Sequence, residues 1–514
     1  MSDDAPKLHE ITQLTRQELT TTQKSDPIRD CGRAALSLLP NDAELCLKLA
    51  YQKLHDVPYK EVKTCWRRLY ADASLWKVLE LVEGRPEEES DGHTSEDSEA
   101  DPEGRLEDVG WVDEVVRLLD MTLILSGAPN REELVELWFA ALKDALTVPG
   151  RERNVIASGR PAKRRKLSMS CEASRIPTSF PTDLPEPTAT LRYPIARSRE
   201  LSLSALQKRL SNTETHTPLI IEGALQHWPA LEERPWKSPG YLLEQTLGGR
   251  RLIPVEVGKS YTDEGWGQRI ITFRDFMDTY MLDGHSHNVS IEDADELRDH
   301  EGNGTDLNSE DAPQLSGSKK ERPTGYLAQH DLFAQIPSLR ADISIPDYCY
   351  GEPAPSPHLT HIKPVAKLEE PLLNTWFGPA GTISPLHTDP YHNILAQVVG
   401  YKYVRLYAPE ETKRLYPRSV DENGVDMSNT SQVDLDEAMS ICPGISTWKS
   451  QDSADDEQAF LHRRKDFAKQ FPGFKEAKYI EAILAPGEYL YLPVGWWHYI
   501  RSLTPSFSVS FWFN

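Results

Sequence analysis

Two imidazoles and one carboxylate stand where they can share a metal ion: His387 and Asp389, in the tripeptide His387-Thr388-Asp389, and His498 far downstream. Such a set forms the facial triad that holds non-haem Fe(II) and leaves coordination positions open for substrates. Residues two apart on a strand point to the same face, so His387 and Asp389 are expected to grip one ion from a single strand. His498 lies in LPVGWWHYI (492–500), where Trp496, His498 and Ile500 share a face by the same rule. A distant strand that supplies the third ligand is what a barrel interior provides. An H-x-D tripeptide is a weak signal by itself, and its neighbours decide the reading.

The most specific neighbour is Lys402. The segment 394–409 reads as two strands meeting at Gly400. In the second, Lys402, Val404 and Leu406 share one face, and Tyr401, Tyr403, Arg405 and Tyr407 the other. Lys402 therefore stands among aliphatic residues and is expected to point into the core. A buried ammonium is costly unless paired, and a bound carboxylate from a small diacid would supply the partner. The alternative is a lysine that snorkels to solvent.

Around these residues lie NTWFGPAGTISPLHTDPYHN (374–393), GYKYVRLYAP (400–409) and PGEYLYLPVGWWH (486–498), with GYLAQH (325–330), ISIPDY (343–348) and SFSVSFWFN (506–514). As a set they resemble the Jumonji-C (JmjC) family of iron and 2-oxoglutarate oxygenases, and one branch of it most closely. The resemblance covers roughly 195–514, two inserts apart, and reaches the N-terminal helices only weakly. It implies that His387, Asp389 and His498 ligate Fe(II), and that Lys402 pairs with the distal carboxylate of 2-oxoglutarate. It also implies that Tyr326, Ser384 and Asn393 hydrogen-bond that cosubstrate, with O2 as the second one. The reaction implied is oxidative decarboxylation to succinate coupled to hydroxylation of a C–H. On an N-methyl carbon that is demethylation; on a side-chain carbon the hydroxyl stays. The same triad serves both.

PVEVG (254–258), followed by Tyr261, Asp263 and Trp266, resembles the segment that lines the substrate pocket in this branch. Glu256 would pair bidentately with a guanidinium. Tyr261, Trp266 and Trp376 would stack on a planar cation, with Trp512 as a further wall. Such a pocket suits arginine better than a methylated ammonium, so hydroxylation of a protein arginine is expected, with methyl-lysine demethylation as the alternative. Each Trp also has an ordinary core-packing reading.

Composition sets limits. A length of 514 residues suggests about three domains. The net charge of −23 argues against direct nucleic-acid binding, which needs a basic surface, and fits a basic protein or peptide substrate such as a histone tail. Six scattered cysteines without a C-x-x-C fit a reducing compartment and offer no zinc module. The acidic start is not expected to be a signal peptide, and no apolar run approaches a membrane span.

The elements that must position these residues follow. Residues 1–149 read as a helical domain: Cys46, Leu49, Ala50 and Leu54, then Val112, Val115, Val116, Leu119 and Leu123, then Leu134, Leu137, Trp138, Ala141 and Ala145 keep helical spacing. Asn41 with Glu44, and Asn130 with Glu133, are expected capping-box starts. An acidic spacer (83–107) is expected to be disordered. So is a linker (150–194), whose basic cluster RPAKRRKL (160–167) reads as a nuclear-import signal, with the nucleus, and also the cytoplasm, as expected locations. The catalytic domain spans 195–514, with polar inserts about 284–323 and 443–458 expected to be surface loops. The fold expected is a mainly β double-stranded β-helix, a cupin-like jelly roll, behind an all-α N-terminal domain. Two other readings stay open: a catalytically silent JmjC chromatin-binding module, and a zinc hydrolase, which leaves Lys402 unexplained.

Overall fold

A computed structural model describes residues 5–84, 110–146, 176–186, 189–212, 216–258, 262, 265–282, 324–356, 359, 362–421, 424–448 and 457–514. Tyr261, the basic cluster 160–167 and nearly all of the acidic spacer lie outside these residues.

The N-terminal part is helical: α1 (Leu8–Thr20), α2 (Arg33–Leu38), α3 (Ala43–His55), α4 (Thr64–Glu83), α5 (Gly110–Ser126) and α6 (Glu132–Leu146). The apolar stripes account for α3, α5 and α6. Helix α3 buries Cys46, Ala50 and Leu54. Its cap is Asp42, whose carboxylate accepts from the Leu45 N–H, while Asn41 donates to the Ser37 carbonyl instead. Asn130 is not a cap either: its φ of 60° is left-handed, whereas an N-cap needs extended backbone. Helix α4 runs through the middle of the bundle and buries residues on every side, from Leu69 and Ala73 to Arg68 and Asp72. A helix enclosed all round shows no apolar stripe, which hides it from periodicity. Arg68 and Arg131 both pair with the Asp72 carboxylate and so tolerate burial.

The catalytic part is a cupin-like jelly roll of thirteen strands among the described residues: β1 (Arg197–Arg199), β2 (Leu219–Glu222), β3 (Leu252–Val257), β4 (Gly267–Thr272), β5 (Gly325–His330), β6 (Leu372–Gly378), β7 (Ile383–His387), β8 (His392–Val399), β9 (Lys402–Tyr407), β10 (Tyr479–Leu484), β11 (Glu488–Leu492), β12 (Trp497–Ser502) and β13 (Ser506–Phe513). Nine form one sheet in the order β1-β2-β11-β8-β13-β6-β5-β3-β4, and four form the other, β10-β9-β12-β7. All pairings are antiparallel except β1 with β2. Ile220, Leu395 and Leu490 of the large sheet meet Val404, Leu406 and Ala482 of the small one in the layer between them. Strand β13 lies in the middle of the large sheet, between β8 and β6.

Two expectations are corrected. Within the supposed disordered linker, Phe180 is buried against the outer face of the large sheet, and its N–H bonds the Lys237 carbonyl. Leu184 and Leu191 pack on the small sheet, and the Arg192 N–H bonds Glu481. Apolar side chains and satisfied backbone groups make residues 176–186 and 189–194 a strap. Likewise the insert begins later than 443. Thr447 is buried and bonds Tyr403 and Glu481, while Arg405 reaches the Ile445 carbonyl. No helix among the described residues is long and apolar enough to cross a membrane.

Candidate active site

Strands β7 and β12 are antiparallel neighbours, and His387 stands directly opposite His498. Their rings lie 4.0 Å apart. Asp389 is not on the strand with His387, as expected, but two residues beyond its end, where its carboxylate turns back between the imidazoles. His387 Nε2 is 3.8 Å from Asp389 Oδ1, and His498 Nε2 is 3.5 Å from Asp389 Oδ2. One ligand atom from each of the three lies within 4.8 Å of the other two.

The backbone sets the tautomers. His387 Nδ1 is 2.7 Å from the Pro385 carbonyl, and His498 Nδ1 is 3.1 Å from that of Trp496. A carbonyl only accepts, so each Nδ1 carries the proton and each Nε2 offers a lone pair toward Asp389. Burial, with His498 adjacent, pushes His387 down to about 4 and keeps it neutral. Burial raises the Asp389 carboxyl, but the adjoining His498 and His387 side chains outweigh this and hold it below the usual range. Two imidazoles presenting Nε2 and one carboxylate are the donor set a divalent first-row metal takes.

Lys402, at the start of β9, is fully buried on the inner face. Its ammonium donates to the Tyr326 hydroxyl at 3.2 Å. No described carboxylate compensates it, and burial alone pushes it down to about 7. Tyr326 comes from β5 and is itself buried, and Ser384 of β7 hydrogen-bonds its hydroxyl. Asn393, at the start of β8, completes the polar lining with an Oδ1 that is buried and unpartnered. Leu395, Trp376 and Ile500 close a small cavity over these groups and the three potential ligands. Leu395 follows from alternation with Asn393 but was not foreseen as lining. His392 shares the motif, yet alternation turns it to the opposite face, where it meets Tyr491.

The expected substrate residues divide. Glu256 of β3 stands opposite Tyr326 in the sheet and accepts from Trp266 Nε1 at 3.4 Å. Burial raises its carboxyl, and no described cation pairs with it. Trp376 lines the cavity, with its Nε1 bonded to Ser510 Oγ at 3.0 Å. Trp512 lies outside the cavity lining, stacked on Tyr391 at 5.5 Å, with a buried unpartnered Nε1.

A jelly roll with a two-His-one-carboxylate cluster beside a buried lysine defines a class, the cupin-type oxygenases. The chain matches the cupin-like domain model over residues 208–514. It is 32% identical to lysine-specific demethylase 8 of Danio rerio, over 92% of this chain and 87% of the relative. It is 31% identical to lysine-specific demethylase JMJ30 of Arabidopsis thaliana, over 92% and 85%. With Jumonji C domain-containing protein 5 of Drosophila melanogaster it shares 34% identity over 59% and 55%. The chain belongs to the cupin-like JmjC family of 2-oxoglutarate-dependent oxygenases. Within that family it falls in the branch its motifs resemble, that of jumonji-domain protein five, also called lysine demethylase eight.

Proposed function

We propose that this chain is an Fe(II)- and 2-oxoglutarate-dependent protein hydroxylase acting on arginine in a basic protein or peptide. The observation that carries the cosubstrate is Lys402, a buried ammonium with no described carboxylate beside it. In its charged form such a group is stabilised by an anion that arrives from solution. His387, Asp389 and His498 would hold the ferrous ion. Lys402, Tyr326 and Ser384 would hold the distal carboxylate of 2-oxoglutarate, and the Asn393 side-chain N–H, whose amide lies in the same cavity lining, would be a further donor to it.

Bound together, iron, 2-oxoglutarate and O2 supply an oxidant able to place oxygen on an unactivated C–H. The protein positions and shields. Lys402 neutralises the cosubstrate's far charge. Tyr326 and Ser384 fix its tilt. Leu395, Ile500 and Trp376 exclude water.

Arginine is favoured by Glu256, a partly buried carboxylate without a described cation, flanked by the Trp266 indole. A planar guanidinium can pair with the acid and stack on the ring at once. Trp376, Trp512 and Tyr261 are the further proposed walls. A second reading, methyl-lysine demethylation by the same chemistry, is supported by the names of the demethylase relatives. The intact cluster disfavours a silent chromatin-binding module. The basic cluster 160–167 supports a nuclear location, with the cytoplasm as a second.

Mass spectrometry of arginine- and methyl-lysine-containing peptides, incubated with Fe(II), 2-oxoglutarate and ascorbate, separates the readings. One oxygen gained on arginine is expected; a methyl lost from lysine selects the second. His387→Ala should abolish succinate formation. Lys402→Met should chiefly raise the KM for 2-oxoglutarate. Unchanged turnover in both variants would remove the proposal.

A further inference from the structure

The helical part and the barrel meet at one carboxylate. Asp120 of α5 is fully buried. It accepts from Arg251 Nε at 2.9 Å and Nη2 at 2.7 Å, from the Leu252 N–H at 2.8 Å and from Gln335 Nε2 at 2.7 Å. Arg251 also lies over the Phe139 ring of α6, at 3.5 Å. Leu252 is the first residue of β3. Gln335 ends the short helix Leu332–Gln335 that follows β5. Its amide also donates to the Leu252 carbonyl, and its Oε1 accepts from His330 Nε2 at 2.8 Å. His330 is the last residue of β5, just after a register shift at which Gln329 takes a φ of 47°. One side chain of the helical part thus ties the start of β3 to the end of β5.

These are the strands that carry Glu256 and Tyr326, which face each other in the sheet. We infer that Asp120 is a positioning residue: through it the N-terminal helices set the placement of Glu256 and Tyr326 beside Lys402. This deepens the proposed function and rests on it for the roles of those two residues. The physical case is that a buried carboxylate with four charge-assisted or backbone donors admits one geometry. Loss of any donor leaves a buried polar group unpaired. A bulged strand such as β5 has no continuous ladder to hold its end, so the clamp supplies what the ladder lacks. On this reading the helices brace two strands of the active site and are not a separable recruiting arm.

The test uses the full chain with Asp120→Asn, and with Gln335→Met, which spares the Asp120–Arg251 pair and the Leu252 N–H bond but removes the side-chain bonds from Gln335 to Asp120, to the Leu252 carbonyl and to His330 of β5. Hydrogen–deuterium exchange is read at residues 252–257 and 325–330, against 383–387 and 497–502 as controls. Asp120→Asn should speed exchange in both strands by about tenfold and leave the controls unchanged. Gln335→Met should do so mainly at 325–330. In succinate formation without peptide, either variant should raise the KM for 2-oxoglutarate about threefold or more, with kcat changed less. Uniform acceleration across both sheets, or unchanged exchange with unchanged KM, would overturn the inference. A wild-type chain that forms no succinate would defeat the proposed function, while the exchange data would still decide whether the clamp orders β3 and β5.

Discussion

At the scale of the residue, Lys402 is kept at a cost to stability. Burial pushes its ammonium from 10.5 to about 7, so the folded chain releases a proton that the unfolded chain retains. Stability of the cosubstrate-free protein should therefore rise with pH between about 7 and 10.5, because the unfolded state binds more protons there. Lys402→Met should stabilise that protein below pH 7, by about 1–4 kcal/mol in urea titrations. The same variant should lose the thermal protection that 2-oxoglutarate gives. For the wild type, affinity for the dianion should fall as pH rises through about 7, since binding selects the charged amine. A KM for 2-oxoglutarate that stays flat from about pH 6 to 9 would show that Lys402 is not its counter-ion.

At the scale of the element, the site depends on strand ends and turns. Gly400 joins β8 to β9 with a φ of 72°, and a Cβ there would run into the Pro505 carbonyl. Gly400→Ala should cost about 2 kcal/mol or more and disturb Lys402, two residues on, measured by urea unfolding and by the KM for 2-oxoglutarate. Strand β13 pairs on both edges, so deleting the last eight residues would open the large sheet at its centre. That deletion should yield no folded protein by circular dichroism. Alternation made these strands and the inner face of Lys402 readable. It misplaced Asp389, because the ligand comes from the turn after β7, where period two has ended.

For the molecule as a whole, buried contacts join helices, strap and barrel. Phe180 lies in the same core as Phe377 and Trp236, so Phe180→Ala should cost about 3 kcal/mol, read as a lower urea midpoint with an unchanged slope. Deleting 1–146 would leave Arg251 buried without Asp120 and expose Leu247, which packs into the helical core. A chain so shortened should be aggregated or strongly destabilised on size-exclusion chromatography.

The chemistry was readable because it depends on residue types at short spacings. H-x-D, an inward lysine and alternating strands are local facts. They pointed to the His387–Asp389–His498 cluster, to Lys402 and to the jelly roll, while Tyr326, Ser384 and Asn393 were implied by the family resemblance. Helix α4 was invisible because a helix enclosed on all sides has no polar face to mark its period. Pro, Ser and Thr dominate the composition of the strap and read as disorder, while three apolar side chains, Phe180, Leu184 and Leu191, decide its place. Asp120, Arg251 and Gln335 lie up to 215 residues apart and follow no motif. Their meeting is set by how α5 docks on the sheet, and only the folded chain brings those donors to one carboxylate.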